Sequence, residues 1–276
     1  MPIDLTTTVD TVPSGAAFDR IARQYDEIFT HSAIGRAQRE LVHRELLPVF
    51  ARGSRILDLN CGTGEDAIHL ASQGIEVVAC DASPAMIDVC RRKHATTDVA
   101  LPAKFLVCPN ERLDRLSSFA PFDGALSNFG GLNCTSDLTA VRRMMEPLLS
   151  PGSAFFVCLA GRVCAWEIAW YALSGRWEKA LRRVRPSGSV ATIGGLNFRV
   201  HYPSVRQIAA AFAPSFRFHA WRGIGVALPP SWLEPFFYNR PRTVRCLQWL
   251  DRHIGAWPGF RGVADHVLLH FVREEQ

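Results

Sequence analysis

A glycine-containing loop between an apolar segment and a helix start is the feature that most constrains the fold of this chain. Residues 55–66 read RILDLNCGTGED, so an apolar run that ends in Asp58 leads into Gly62 and Gly64. Glycines let the backbone adopt positive φ and approach a ligand closely, and a helix start offers free N–H groups. Asp81 ends the next apolar run, where a carboxylate can accept both ribose hydroxyls of a nucleotide. The pattern predicts a nucleotide-binding strand–loop–helix–strand unit.

Strands and helices alternate along most of the chain. The hydrophobic periodicity predicts strands at 55–59, 76–80, 104–108, 122–127, 152–159, 216–222 and 266–272, and helices at 16–29, 33–51, 65–73, 83–93, 136–149 and 204–212. Ser83 and Pro84 suit the N-cap and the first position of one of these helices. Strands that alternate with helices at this spacing predict an α/β domain with a parallel sheet and right-handed crossovers.

The composition is that of an ordinary globular protein. Of the 276 residues, 48% are hydrophobic and 21% are charged. No apolar run approaches the roughly 20 residues that a membrane span needs, and no basic region followed by an apolar run opens the sequence. The eight cysteines include no Cys-x-x-Cys pair, and several stand in strand-like segments, which is typical of reduced, buried thiols. We therefore expect a cytoplasmic protein.

The acid before the loop distinguishes two classes of nucleotide ligand. A dinucleotide-binding loop has the pattern Gly-x-Gly-x-x-Gly or its alanine form, which Gly62, Gly64 and Ala67 satisfy. Asp58, however, would repel a pyrophosphate and would attract the ammonium group of a methionine moiety. The residues therefore favour a ligand with a cationic amino group over a nicotinamide dinucleotide.

The segment 58–64, DLNCGTG, followed by Asp81, resembles the first motifs of the class I S-adenosylmethionine-dependent methyltransferases. Asn60 stands where glycine is usual, and asparagine tolerates left-handed backbone better than other non-glycine residues. The resemblance implies a doubly wound, Rossmann-like α/β fold with a mostly parallel seven-stranded sheet, and S-adenosyl-L-methionine as the cofactor. The residues that it implies for cofactor binding are Asp58, Asn60, Cys61, Gly62, Thr63 and Gly64 for the methionine part, Asp81 for the ribose, and Ala82 and Met86 near the adenine.

Three further stretches are similar to parts of the family's pattern. Pro109 stands where the family often has an acid that meets the adenine amino group, so one of the two residues after it would substitute. The stretch after the fourth strand lies where the family places residues near the sulfonium, and a tyrosine often covers the cofactor from the leading helix. These stretches add, as cofactor-binding residues, Tyr25, Asn110, Glu111, Ser127, Asn128 and Phe129.

The regular alternation breaks at Gly161, and the charge changes sign there. Up to residue 160 there are 15 basic against 19 acidic residues, and from residue 161 onward 16 against 7. A long helix is predicted at 163–184, and 225–263 is rich in proline and tryptophan and has no regular pattern. We therefore divide the chain into a disordered leader (1–13), a cofactor-binding α/β core with two leading helices (14–160), a lid or substrate insertion (161–202), a return to the core (203–224), a second insertion (225–263) and a final strand (264–276).

The insertions supply most of the candidate acceptor-binding residues. Their aromatic side chains favour a small, apolar or lipid-like acceptor, and arginines at 182, 183 and 185 could meet an anionic end of it. A hydroxyl or carbon-acid acceptor needs a general base, for which His201 is the candidate, with His31 or Tyr25 as the others. The candidate substrate-binding residues are Asn133, Trp166, Trp170, Tyr171, His201 and Tyr202.

The sequence thus predicts an enzyme that methylates a small molecule at oxygen, nitrogen or carbon. Two alternatives stay open: an inactive S-adenosylmethionine-binding regulatory module, and a methyltransferase for RNA or a carrier-tethered substrate. Methylation of nucleic-acid amino groups is disfavoured, because residues 127–130 read SNFG instead of Asn/Asp-Pro-Pro-Tyr/Phe. No metal is expected, since His266 and His270 would lie ~13 Å apart on a strand. The oligomeric state is left open.

Overall fold

A seven-stranded sheet forms the centre of the computed structural model, which describes residues 10–97 and 100–275. Its strands are β1 Arg55–Leu59, β2 Glu76–Asp81, β3 Ala103–Val107, β4 Phe122–Ser127, β5 Leu149–Ala160, β8 Phe216–Ile224 and β9 His266–Arg273. A separate antiparallel hairpin joins β6 (Ser189–Ile193) to β7 (Leu196–Val200). The order in the sheet is β3-β2-β1-β4-β5-β9-β8, and β9 runs against all the others. The predicted doubly wound, mostly parallel seven-stranded sheet is confirmed.

Helices cover both faces of this sheet. They are α1 Ser14–Asp19, α2 Ala33–Leu46, α3 Glu65–Ser72, α4 Pro84–Ala95, α5 Leu138–Met145, α6 Ala165–Leu173, α7 Trp177–Ala180, α8 Val205–Phe212, α9 Glu234–Phe237 and α10 Pro241–Ile254. The predicted cap of α4 is confirmed: the Ser83 hydroxyl accepts a hydrogen bond from the Met86 amide, and Pro84 occupies the first turn. Within the described residues, no helix is long and apolar enough to cross a membrane.

The side chains of β1 alternate between two apolar cores. Ile56 packs in the core under α2, α3, α4 and α10, whereas Leu57 and Leu59 pack in the core under α5 and α8. This alternation follows from the two-residue period of a strand. The strand order reverses between β1 and β4, because β2 and β3 lie on one side of β1 and the later strands on the other. Open α/β sheets bind ligands beyond the carboxyl ends of the strands at such a reversal.

The leading segment differs from the single helix predicted at 16–29. Only α1 is α-helical there, and after several turns the chain forms a π-helical turn over Asp26–Thr30. The Asp26 carboxylate accepts hydrogen bonds from the Thr63 hydroxyl (2.5 Å), which ties this turn to the glycine loop, and from the Lys93 ammonium (3.0 Å), which ties it to α4. Tertiary contacts therefore override the local helical pattern. The next predicted helix ends at Leu46 instead of residue 51.

The insertions also differ from their predicted structure. The helix predicted at 163–184 is broken at Gly175, whose φ of +68° ends α6 before α7 begins. The region 225–263, predicted as irregular, contains the 14-residue helix α10, in which Pro241 occupies the first turn and so costs no hydrogen bond. Of the predicted disordered leader, residues 1–9 lie outside the described residues, and the Val12 amide donates to the Asn197 carbonyl oxygen (2.8 Å).

Candidate functional site

A cavity of about 720 Å³ opens beyond the carboxyl ends of β1, β2 and β4, at the reversal of the strand order. The loop after each of these strands contributes to its wall, and α1 and the segment after it cover one side. The lining residues are Ser14, Gly15, Phe18, Tyr25, Arg39, Asn60, Cys61, Gly62, Thr63, Glu65, Asp66, Asp81, Ala82, Met86, Asn128, Phe129, Gly130, Gly131 and Cys134.

The loop after β1 has the backbone that its residues predict. Asn60, Gly62 and Gly64 all have positive φ, of 56°, 54° and 77°. The left-handed conformation expected at Asn60 is therefore confirmed. The Asn60 side chain donates to the Asn110 amide oxygen (3.1 Å) and accepts from the Ser127 hydroxyl (3.1 Å). These bonds explain why asparagine is accommodated where the family usually has glycine, since its polar end holds the loops after β3 and β4 in place.

Asp81 ends β2 with its carboxylate at the cavity wall. It accepts hydrogen bonds from the Gly62 amide (3.0 Å) and the Ser83 amide (2.8 Å), which fix its orientation. Burial raises the pKa of Asp81, and the amide donors act against that shift. A carboxylate with two fixed oxygens and remaining lone pairs is suited to accept hydrogen bonds from a pair of ligand hydroxyls.

Asp58 is completely enclosed and is not among the cavity-lining residues. Its Oδ2 atom is buried without a hydrogen-bond partner among the described residues. Burial, followed by the nearby negative charge of Asp66, raises the pKa of Asp58 well above its usual range. A cation beside this carboxylate would lower its pKa and satisfy the unused oxygen.

Arg39 on α2 contributes a guanidinium group to the cavity wall. It forms a buried ion pair with Asp66, which also accepts from His43 Nε2 (2.7 Å) and Asn128 Nδ2 (3.0 Å). Although burial acts in the opposite direction, Arg39 and His43 hold the pKa of Asp66 well below its usual range. The guanidinium lies over the Phe129 ring at 4.9 Å, and its Nε atom is buried without a partner among the described residues. Arg39 as a whole lines the cavity, whereas this Nε atom is enclosed within the wall.

Tyr25 belongs to a group of aromatic side chains next to the glycine loop in the cavity wall. Its ring contacts Phe18 and Phe29 at centroid distances of 6.2 and 5.7 Å, and Phe29 contacts Phe129 at 5.4 Å. A Cβ at Gly62 would lie 4.0 Å from the Tyr25 ring, so the ring closes over the loop. Burial raises the pKa of Tyr25 to about 12. The phenol therefore stays protonated at neutral pH.

The structure brings most of the predicted cofactor residues together around this cavity. Those that line it are Tyr25, Asn60, Cys61, Gly62, Thr63, Asp81, Ala82, Met86, Asn128 and Phe129. Those that do not line it are Asp58, Gly64, Asn110, Glu111 and Ser127. A Cβ at Gly64 would come within 2.9 Å of the Cys90 sulfur, so this glycine serves close packing of the loop. Asn110 and Glu111 line a neighbouring cavity, which shares Cys134 with the main one.

Sequence reasoning missed part of the cavity wall. Asp66 directly follows the loop motif, and Gly130, Gly131 and Cys134 lie in a stretch singled out after β4, so position alone could have suggested them. No sequence signal marks Arg39 on its amphipathic helix. The lining residues missed are Ser14, Gly15, Phe18, Arg39, Glu65, Asp66, Gly130, Gly131 and Cys134.

The candidate substrate residues lie outside the cavity lining. Asn133 is buried, and its side chain exchanges hydrogen bonds with the Ala160 amide (2.8 Å) and the His201 carbonyl oxygen (2.7 Å), so it ties β5 to the segment after β7. Tyr202 lies under the Arg183 guanidinium, at 5.6 Å. The remaining candidates, also outside the lining, are Trp166, Trp170, Tyr171 and His201.

The arginines expected at an anionic end of the acceptor are largely engaged within the protein. Arg182 pairs with Glu167 through two hydrogen bonds of 2.7 and 2.9 Å. Arg183 is buried between Glu167 and Asp265, both of which it contacts within 3.0 Å. Glu167 and Asp265 thus already pair with Arg182 and Arg183, and of the three predicted arginines Arg185 is exposed without such a pair among the described residues.

Comparisons with known proteins agree with this geometry. Residues 56–152 match the family model described as a methyltransferase domain. The demethylmenaquinone methyltransferase of Clavibacter sepedonicus is 32% identical over 145 residues, which cover 52% of this chain and 56% of that protein. The enzyme of the same name from Parafrankia sp. (strain EAN1pec) is 26% identical over 233 residues, 76% of this chain and 86% of that protein. Several of these curated relatives are thus matched over little more than half of their length.

Solved structures share the fold over most of this chain. A SAM-dependent methyltransferase from Methanosarcina mazei superimposes with a TM-score of 0.58 at 15% identity, covering 83% of this chain and 96% of that one. At this identity the likeness concerns the fold. Together with the glycine loop, Asp81 and the matched family model, it shows that this chain carries a class I S-adenosylmethionine-dependent methyltransferase domain.

Proposed function

We propose that this chain transfers a methyl group from S-adenosylmethionine to a small, apolar, lipid-like acceptor. The observation that carries the proposal is the cavity itself, in which the polar glycine loop lies next to a wall of aromatic rings. A polar wall suits the cofactor, and an aromatic wall suits an apolar acceptor. The relatives named demethylmenaquinone methyltransferase support an acceptor of the quinone class.

The charged groups of the cavity match the charges of S-adenosylmethionine. Asp81 would accept the ribose hydroxyls, and Ala82 and Met86 would flank the adenine, because they follow Asp81 along the same wall. Asp58 lies behind the loop with an unused oxygen, so it would attract the ammonium group of the methionine part, directly or through water. Arg39 brings a positively charged guanidinium group to the cavity wall and would bind the carboxylate at the same end.

The acceptor would lie between the aromatic wall and the loop after β4. Phe129 and Tyr25 supply apolar surface, and Gly130 and Gly131 leave room for a ring to approach the cofactor's methyl group. Methyl transfer is an in-line displacement, in which the bond from methyl carbon to acceptor forms as its bond to sulfur breaks and the sulfonium becomes a neutral thioether. Holding two reactants aligned can supply on the order of 7–11 kcal/mol. The main task of this chain's residues would be that alignment.

No histidine lines the cavity among the described residues. The protonated Tyr25 phenol is a hydrogen-bond donor at neutral pH and not a base. The geometry therefore favours an acceptor atom that is nucleophilic without help from a histidine base. Examples are the ionised oxygen of a hydroquinone ring, or a ring carbon made electron-rich by that oxygen, which would lose its proton to water after the methyl group has been transferred.

Calorimetric titration and a turnover assay test this proposal. We expect S-adenosylhomocysteine to bind and NADH not to bind, and we expect labelled methyl groups to enter a demethylated naphthoquinol supplied in detergent. Tight binding of NADH without binding of S-adenosylhomocysteine would refute the cofactor assignment. Binding of S-adenosylhomocysteine without transfer to naphthoquinols or to a total lipid extract would instead support the regulatory module or the RNA and carrier-tethered acceptors.

A further inference from the structure

Four aromatic side chains from the two insertions form a continuous cluster at the surface. Trp170 contacts Trp232 and Phe236 at centroid distances of 5.9 and 4.9 Å, and Tyr171 stacks on Trp232 at 5.5 Å. Although they touch each other, Trp170, Trp232 and Phe236 keep 37%, 38% and 55% of their surface exposed. We call these four residues the aromatic surface. Contiguous exposed apolar patches on soluble proteins commonly mark interaction sites.

The aromatic surface continues into further exposed apolar residues. Ile28, Trp232 and Tyr238 line one shallow cleft beside it, and Ile28 and Tyr238 are 60% and 76% exposed. On the other side, the exposed Leu173 ends α6. Three separate segments of chain (28, 170–173 and 232–238) thus present large apolar groups to water, and the described residues cover them only in part.

Basic side chains border this surface. The Lys179 ammonium and the Arg182 guanidinium each lie 5.9 Å from the centre of the Tyr171 ring. Arg176, Arg185 and Arg240 are exposed on the same segments or directly next to them. Of the acids in these segments, Glu167 is buried in its ion pairs and Glu234 is bonded to the Ala33 and Ile34 amides, which leaves Glu27 and Glu178 exposed against the four cations Arg176, Lys179, Arg185 and Arg240. The border is therefore mainly positive.

One helical turn separates this surface from the cavity. The π-helical turn Asp26–Thr30 places Ile28 in the outer cleft with Trp232. Tyr25, directly before the turn, lines the cavity, and Phe29, within the turn, packs behind it against Tyr25 and Phe129. A molecule that leaves an apolar phase at the aromatic surface would need to pass only this turn to reach the cofactor. π-Helical turns often occur at functional sites.

We propose that the aromatic surface docks onto the headgroup layer of an anionic lipid bilayer, so that an acceptor dissolved in the membrane enters the cavity past residues 26–30. This inference rests on the proposed function for its apolar acceptor. Tryptophan and tyrosine favour the headgroup level of a bilayer, and neighbouring lysine and arginine are attracted to anionic lipids. The combination of exposed rings with a positive border is what such an interface requires.

Sedimentation with lipid vesicles tests the inference on the full chain. We expect binding to vesicles containing phosphatidylglycerol, weaker binding to pure phosphatidylcholine, and a loss of binding as salt is raised. The double substitution Trp232→Ala with Phe236→Ala should reduce binding to phosphatidylglycerol vesicles at least tenfold. The single substitution Phe236→Ser is a milder variant, and it should also reduce binding to phosphatidylglycerol vesicles, by a smaller factor.

Trp257→Ala is the matched control. Its ring is 56% exposed, as the Phe236 ring is 55% exposed, but it lies beyond the far end of α10, a helix about 20 Å long that begins next to α9. We expect this variant to bind vesicles as the unmodified chain does. Equal binding of the control and the double variant, or no binding to phosphatidylglycerol vesicles, would overturn the inference. Self-association that is lost in the double variant would overturn it as well, since a second copy would then cover the surface.

Two further measurements separate this inference from the proposed function. Titration with S-adenosylhomocysteine and turnover with a detergent-solubilised naphthoquinol do not need a bilayer. In the double variant both should stay within a few-fold of the unmodified chain, whereas turnover of the same quinol embedded in vesicles should fall at least tenfold. An equal fall in both turnovers with normal binding of S-adenosylhomocysteine would contradict membrane docking and would place the aromatic surface in the acceptor site.

Discussion

The side chain of Asn60 occupies the space that a β-carbon on residue 131 would need. A Cβ built on Gly131 would lie 2.2 Å from the Asn60 Cβ and 2.6 Å from its Cγ, and its three nearest neighbours all belong to Asn60. The glycine usually expected at position 60 is thus replaced by asparagine, while the facing position on the loop after β4 is glycine. The two loops that shape the cavity are therefore sterically coupled.

Gly131→Ala should lower the free energy of unfolding by about 1–3 kcal/mol and weaken binding of S-adenosylhomocysteine, because the loops must move apart. Asn60→Gly in the same chain should recover part of both losses, since it removes the clashing side chain. Thermal melts and calorimetry on the four members of this double-mutant cycle measure the coupling. Strictly additive effects would show that the two positions do not compete for the same space.

Asp58→Asn should stabilise the ligand-free chain and weaken cofactor binding at the same time. Burial, then Asp66, raises the pKa of Asp58 above the value of about 3.9 in the unfolded chain. An acid with a raised folded-state pKa loses stability as the pH rises from the unfolded to the folded pKa, whereas asparagine does not titrate. The melting temperature of the variant should therefore exceed that of the unmodified chain at pH 7, with a difference that shrinks toward pH 4.

Asp123→Asn is the control for this substitution. Asp123 is exposed at the amino end of β4, away from the cavity, and its carboxylate accepts a hydrogen bond from the Arg55 amide. The control should retain the affinity for S-adenosylhomocysteine. An Asp58→Asn variant that is less stable than the unmodified chain at pH 7 would show that the buried carboxylate is satisfied by a partner, such as a bound water.

Asp81→Ala should weaken S-adenosylhomocysteine binding through the loss of charge-assisted hydrogen bonds to the ribose. Such bonds contribute about 1.5–3 kcal/mol, which is roughly ten- to a hundredfold in affinity. Asp88→Ala, an exposed acid on α4, is the matched control and should bind normally. If a folded Asp81→Ala variant binds as tightly as the control, the ribose does not lie at Asp81.

The core of the fold was predictable because its signals are local. The strand pattern of β1 and β4, the glycine loop and the Ser83 cap each depend on a few adjacent residues, and their bounds or bonds match the prediction. The break at Gly175 and the π-helical turn at Asp26–Thr30 depend on backbone conformations or contacts with distant segments, which periodicity does not encode.

The cavity wall was predictable only where a motif names its residues. Asn60, Gly62 and Asp81 follow from the motif, but Arg39 reaches the cavity from a helix more than twenty positions earlier in the chain. The buried ion pair between Arg39 and Asp66 is a product of the tertiary fold. In the same way, the aromatic residues of the first insertion suggested an acceptor wall, whereas the structure packs Trp170 against Trp232 and Phe236.

His201→Ala should change turnover by no more than a few-fold. His201 was the candidate general base, but it does not line the cavity, and burial together with the Arg199 charge lowers its pKa. Removal of a true general base costs about 10²–10⁴-fold in rate. Steady-state kinetics with a detergent-solubilised naphthoquinol measure this turnover. A hundredfold loss of turnover, with normal binding of S-adenosylhomocysteine, would show that His201 acts as the general base.

Arg39→Met should selectively weaken ligands that carry the methionine carboxylate. S-adenosylhomocysteine has that carboxylate, whereas 5′-methylthioadenosine has the same adenosine but no amino-acid portion. We expect the substitution to reduce the affinity for the first ligand roughly ten- to a hundredfold, by loss of a charge-assisted bond, and to leave the second nearly unchanged. Asp81→Ala, in contrast, should weaken both ligands.

The stability of the Arg39 variants must be measured with their affinities. Removing one partner of a buried ion pair costs about 3–5 kcal/mol, and Asp66 would keep only His43 and Asn128. Arg39→Lys keeps the positive charge but loses the guanidinium group, so it should fold more stably than Arg39→Met and still bind S-adenosylhomocysteine less tightly than the unmodified chain. The affinities of the variants for both ligands are compared by calorimetry at a temperature well below the melting temperature of each variant. Equal loss of both ligands in folded Arg39→Met would show that Arg39 supports the cavity through Asp66 and does not contact the carboxylate.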